Sequence, residues 1–127
     1  MSQIAAYIAL ACFAYLAIFQ ALLALGAPIG HLAWGGQNKK LPVKLRVASF
    51  FSIGIAVLGS ISVLVSKEWI GVEGFGRTAG IVLWILVCIF ALSTLGNAVS
   101  KSKPERLTGT PVAFLLFLSC LVLALGL

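Results

Sequence analysis

Val47-Ala48-Ser49-Phe50-Phe51-Ser52-Ile53-Gly54-Ile55-Ala56-Val57-Leu58-Gly59-Ser60-Ile61-Ser62-Val63-Leu64-Val65-Ser66 runs for 20 residues without a Lys, Arg, Asp or Glu. As a helix rising about 1.5 Å per residue it covers about 30 Å, the thickness of a bilayer's hydrocarbon core. Lipid offers backbone groups no partner, so such a segment must close its hydrogen bonds within itself. Three further stretches share this character: Ile4 to Leu25, about Thr78 to Val99, and about Pro111 to Leu127, the shortest at 17 residues. The alternation of period two that marks a membrane β-barrel is absent from all four. The expectation is an all-α polytopic membrane protein, residues 1–127 forming one domain of four transmembrane helices in a bundle.

Composition agrees. Of 127 residues, 61% are apolar and 9% charged, with mean hydropathy +1.15. A soluble domain carries about 25% charged residues to present a polar surface to water. The first span resembles a signal peptide only superficially, because no basic side chain precedes it and its apolar core exceeds the usual length of about 7–15 residues. It is expected to be a retained helix.

Lys and Arg set the direction of threading. Lys39, Lys40, Lys44 and Arg46 lie between spans one and two, and Lys101, Lys103 and Arg106 between spans three and four. The middle loop has Lys67 and Arg77, offset by Glu68 and Glu73. Basic loops stay cytoplasmic, so both chain ends are expected outside. Tyr7, Trp69 and Phe75 then fall near the outer boundary and Trp34 near the inner one. Anionic headgroups attract each nearby cation by about 1 kcal/mol. Membrane lipid is therefore the expected partner of the cytoplasmic face, and topology accounts for the basic pI without nucleic acid.

The two cytoplasmic hairpins echo one another. Ala21-Leu22-Leu23-Ala24-Leu25-Gly26 parallels Ala91-Leu92-Ser93-Thr94-Leu95-Gly96, and Pro42-Val43-Lys44-Leu45 parallels Pro104-Glu105-Arg106-Leu107. Two parallel-repeat hairpins and coincidence in a Leu/Ala-rich chain both fit. Ser102-Lys103-Pro104-Glu105 has the form of a capping box, and Thr110-Pro111 offers a second helix start. These suggest a short surface turn at Pro104–Leu107, followed by the last span from Pro111. The segment Gly26–Gly36 is apolar but rich in Gly, which disfavours a long helix; interfacial placement is preferred over a re-entrant one.

Chemistry-bearing residues are few: one His, three Glu and no Asp. Cys12, Cys88 and Cys120 sit in separate apolar spans without metal-ligand spacing and read as small apolar residues. No catalytic set, metal site or cofactor is expected, since His31 stands alone and a nucleophile needs a base within reach. Glu68, Glu73 and Glu105 are placed at the interfaces, which weakens proton-coupled transport. The ligand-binding candidates are Gln20 and Asn97 near the cytoplasmic ends of spans one and three, His31 and Trp34 in the loop, and Glu105. Arg46 and Arg106, in similar places in the two hairpins, complete the set; their planar forks suit an anion, a Glu105–Arg46 pair being the plainer reading. Gly54, Ala56, Gly59 and Ser60 give span two a small-residue surface for close helix contact.

Gly26-Ala27-Pro28-x-Gly30-x-x-Ala33-Trp34-Gly35-Gly36, Leu41-Pro42-x-x-Leu45-Arg46, Asn97-Ala98-x-Ser100-x-Ser102-x-x-Glu105-Arg106 and Pro111-Val112-Ala113 together cover residues 27–113 or thereabouts. On this pattern the chain resembles a family of short, uncharacterised four-span bacterial integral membrane proteins. The resemblance implies the bacterial inner membrane and brings no activity or catalytic residue. Small multidrug exporters fit poorly for want of an intramembrane Glu, and dual-topology fluoride channels because the charge bias is strong. A non-enzymatic binding or interaction protein working through its cytoplasmic hairpins, as a homo-oligomer or with a membrane-protein partner, ranks first. A small channel or carrier acting as a homo-oligomer ranks second, and a lipid-modifying enzyme using His31 last.

Overall fold

The computed structural model describes residues 2–30 and 42–127. Four helices account for most of them: α1 (Ser2–Ala24), α2 (Val43–Ser66), α3 (Gly76–Ala98) and α4 (Lys103–Leu125). Each has 23 or 24 residues, or about 35 Å of axis, enough to cross the hydrocarbon core. All four are apolar enough to do so, and no strand occurs among the described residues. The protein is a multi-pass helical membrane protein. The helices form a ring in chain order, and α1 closes it against α4.

Apolar side chains cover the outside as fully as the inside. Phe50 and Phe51 on α2 are 67% and 69% exposed, and Ile18, Leu92 and Leu95 are similarly bare. In water such a surface would drive aggregation; in lipid it is the solvated face. With no hydrophobic gain from meeting one another, the helices associate by close packing and interhelical hydrogen bonds. Phe13 shows this packing. Its ring is fully buried, lies 5.8 Å from Phe90 of α3, and rests on Gly59 of α2. Ala56, Gly59, Ser62 and Val63 form the buried stripe of α2. Gly54, expected to join it, faces outward with open space around its Cα.

Helix ends repeat one device. After α1, Gly26 adopts φ +89°, its N–H bonds Leu23 O at 3.0 Å, and Ala27 N–H bonds Leu22 O at 2.9 Å. Glu68 after α2 and Gly126 after α4 turn in the same left-handed way with the same pair of bonds. This arrangement satisfies carbonyls that the last helical turn would otherwise leave bare. Tyr7 meets Trp69 at 5.3 Å and Lys67 Nζ donates to Ser2 Oγ at 2.8 Å, tying the start of α1 to the loop after α2. Lys67 and Arg77 thus share one end of the bundle, and Lys44, Arg46, Lys101, Lys103 and Arg106 the other.

The last helix differs from its expected outline. There is no separate turn at Pro104–Leu107; α4 is continuous from Lys103 and carries Pro111 as its ninth residue. The capping signal at Ser102 explains the early start, because Ser102 Oγ accepts from Glu105 N–H at 3.4 Å and Pro104 falls in the first turn, where a proline loses nothing. Pro111 deprives only the Leu107 carbonyl of its helical partner, and its ring points outward. Helix α2 likewise begins four residues before the expected span, at Val43.

Candidate functional site

At the basic end of the bundle the four helices part around a cleft of about 360 Å³. Its deep walls are apolar, from Leu16 of α1, Phe90 of α3 and Leu116 of α4. Its polar lining comes from Gln20 of α1, Ser52 of α2, Ser93 and Asn97 of α3, and Glu105 and Thr108 of α4. A pocket with an apolar body and a few converging polar groups is the usual form of a small-molecule site. A second groove, lined by Ile4, Ile8, Leu115, Leu118, Ser119 and Val122, is apolar but for one hydroxyl and has little with which to orient a ligand.

Helical spacing delivers these groups. Gln20 lies four residues beyond Leu16, on the α1 face that also carries buried Phe13 and Leu23. Asn97 lies four beyond Ser93 and donates from Nδ2 to the Ser93 carbonyl at 2.8 Å. That bond lays the amide over α4, where Gly109 leaves room. A Cβ at Gly109 would stand 2.6 Å from Asn97 Oδ1 and 2.9 Å from its Cγ. Gln20 Oε1 is buried without a hydrogen-bond partner among the described residues.

Glu105 is 6% exposed and lines the cleft from the first turn of α4. Because α4 starts at Lys103 and not at Pro111, its first turn becomes part of the cleft wall.

The two arginines hold helix ends. Arg46 Nε donates to the Ala24 carbonyl at 2.9 Å, and its guanidinium lies against Gly26, where an added Cβ would sit 3.5 Å from Cζ. A cation there also favours the negative end of the α1 dipole. Arg106 Nη1 donates to the Ser100 carbonyl at 2.8 Å, just past α3. Each arginine is the fourth residue of its helix, with its N–H bonded to the N-cap carbonyl, Pro42 for one and Ser102 for the other. The hairpins therefore match with Pro42 opposite Ser102, two residues away from the register suggested by Pro42 and Pro104.

His31 and Trp34 lie outside the described residues, as does most of the Gly26–Gly36 segment. Its first part turns back on the bundle, where Ile29 packs with Leu23, Phe19 and Leu45. Cys120 is buried in the main core of the bundle and Cys12 packs against it, while Cys88 faces outward; all three are free thiols. The sequence reading missed Tyr15, Phe19, Gly96, Thr108 and Gly109 as cleft residues. For Thr108 and Gly109 the signal was the cap at Ser102, which should have carried the helix through them. Comparison with protein-family models, with curated proteins and with solved structures finds no match.

Proposed function

We propose that this is a multi-pass protein of the bacterial cytoplasmic membrane, both termini outside, that works by binding a small ligand in the cleft at its cytoplasmic end. The observation that carries the reading is that Gln20, Asn97 and Glu105, from three helices, all line one cavity. Structural polar residues in membrane helices normally bond across to another helix; Asn97 bonds within its own, and Gln20 Oε1 has no partner among the described residues. The five basic residues described at this end support a cytoplasmic placement and draw anionic headgroups to its rim. Self-association remains part of the proposal, since four helices enclose little interior.

The test is the side-chain amide NMR of the protein in micelles, titrated with a small-molecule extract of the host membranes. The Gln20 and Asn97 amides shift while the Gln3 amide, at the far end, stays still. No shift, or an equal shift at Gln3, refutes the cleft as the binding place. A carrier is the second reading, favoured by a buried Glu105 in the wall of a half-depth cleft. It predicts solute flux in proteoliposomes that Asn97→Leu abolishes.

A further inference from the structure

The cleft and the apolar groove lie on one seam. Ile4 and Ile8 of α1, with Leu115, Leu118, Ser119 and Val122 of α4, line the groove in the half of the bundle away from the basic end. Tyr15, Thr108 and Val112 line the cleft. Tyr15 is seven residues from Ile8, Thr108 seven from Leu115, and Val112 seven from Ser119. Seven residues are close to two helical turns, so each pair shares a face. Cleft and groove are therefore successive stretches of the seam between α1 and α4. Tyr15, Thr108 and Leu115 are exposed along it, as is Ala11, whose small side chain lies between Ile8 and Tyr15. The buried members of the main core stop at Phe13 on α1 and begin at Leu116 on α4, so that core does not fill the seam toward the basic end.

The polar lining offers donors and acceptors together. Gln20 brings two Nε2 protons, and its Oε1 is buried without a partner among the described residues. Asn97 spends one Nδ2 proton on the Ser93 carbonyl and keeps the other, with Oδ1 to accept. The Ser93 hydroxyl can do both. Ser52 and Thr108 donate to the Ala48 and Pro104 carbonyls of their own helices, which leaves their oxygens to accept. This mixture holds whatever Glu105 contributes. Among the described residues no Lys, Arg or His lines the cavity, so an anionic head would find no cation there. The depth is that of a lipid head: Gln20 lies four residues, or about 6 Å, inside the end of α1 at Ala24. An acyl chain spanning half the hydrocarbon core covers about 15 Å. From Gln20 along α1 that length ends between Ala11 and Ile8, where the groove begins.

We infer that the ligand of this cleft is a membrane lipid with an uncharged, hydroxyl-bearing head, the head held by Gln20, Ser93 and Asn97 and one chain lying along the α1–α4 seam into the groove. The inference rests on the cleft being the binding place, and adds the ligand's chemical class and its path of entry, sideways from the leaflet. Each hydroxyl both donates and accepts, as the lining does. The groove has little with which to orient a polar molecule, but a hydrocarbon chain needs only apolar walls.

Probes that share a hexadecyl chain test the head: 1-O-hexadecylglycerol, hexadecyl methyl ether, hexadecyl phosphate and hexadecylamine. Each is titrated into the full-length protein in deuterated detergent micelles, its concentration expressed per detergent molecule so that partition into the micelle cancels. The Gln20 and Asn97 side-chain amide shifts report occupancy, and nuclear Overhauser contacts locate the probe. Hexadecylglycerol is expected to saturate both amides, with contacts from its glycerol protons to them and from its chain-end methyl to the Ile8 and Leu115 methyls. Ile81 and Ile85, which are exposed on α3, should show no such contact. The methyl ether, which cannot donate, should bind at least about fivefold more weakly, as the loss of neutral hydrogen bonds implies, and both charged heads more weakly than hexadecylglycerol. Chain-end contacts equally strong at Ile81 and Ile85 would mean unspecific lipid around the bundle and overturn the inference. The ether, the phosphate or the amine binding as tightly as hexadecylglycerol also overturns it, as does amide saturation without contact at Ile8 and Leu115. If hexadecylglycerol leaves the amides still while the extract of host membranes moves them, the lipid assignment falls and the cleft stands; if neither moves them, both fall.

Discussion

Gly59→Ala tests how tightly the centre of the bundle is packed. The added methyl would stand 2.5 Å from Phe13 Cζ, 2.8 Å from Cε1 and 3.0 Å from Cε2. Carbon atoms settle at about 3.5–4.0 Å, so the ring must retreat by about 1 Å or the helices must part. The ring has no exposed side to retreat to, because Phe13 is fully buried and tilted against Phe90. Overpacking of this kind costs about 1–3 kcal/mol, and removing a helical glycine returns up to about 1 kcal/mol. The net loss expected is about 1–2 kcal/mol, read by equilibrium unfolding in mixed micelles. Phe13→Leu alone should cost less than the about 3–5 kcal/mol of truncating a core Phe to Ala. Combined, the two changes should fall short of their sum by about 1 kcal/mol, since the ring that the methyl strikes has gone. A Gly59→Ala variant as stable as the parent, or strict additivity in the double variant, would refute the close approach of α1 and α2.

Gly109→Ala meets a similar overlap, but with the Asn97 amide, which borders open cleft and can swing aside; it should cost under about 1 kcal/mol in the same assay while abolishing cleft binding. Thr110 Oγ1 is buried without a partner among the described residues, so Thr110→Val should be neutral or raise stability by about 1 kcal/mol, whereas a loss of that size would reveal a partner. Arg46→Lys keeps the charge near the α1 C-terminus but loses the planar group lying on Gly26 and the Nε bond to Ala24; about 1 kcal/mol should be lost, measurable as faster amide exchange in the last turn of α1.

Long uncharged runs left no alternative to helices, because backbone in lipid can pair only within the segment, and the four-helix fold was legible on that ground. The convergence of Gln20 and Asn97 was legible too, since each is a rare polar residue in the last two turns of its span. The early start of α4 was missed because hydropathy marks where a chain becomes apolar, while a helix begins where its first N–H groups are capped. Ser102 supplied that cap, yet Pro111 looked like a start because proline so often occupies the first helical turn. Gly59 and Gly54 look alike in sequence, five residues apart. Only the rotation of α2 against α1 distinguishes the one beneath Phe13 from the one facing outward.

Native mass spectrometry from gentle detergent, comparing the wild-type protein with Asn97→Leu, addresses ligand binding in the cleft most directly. The account predicts a defined small molecule retained by the wild type and lost from the variant. Bare wild-type protein, or equal retention by Asn97→Leu, would contradict it.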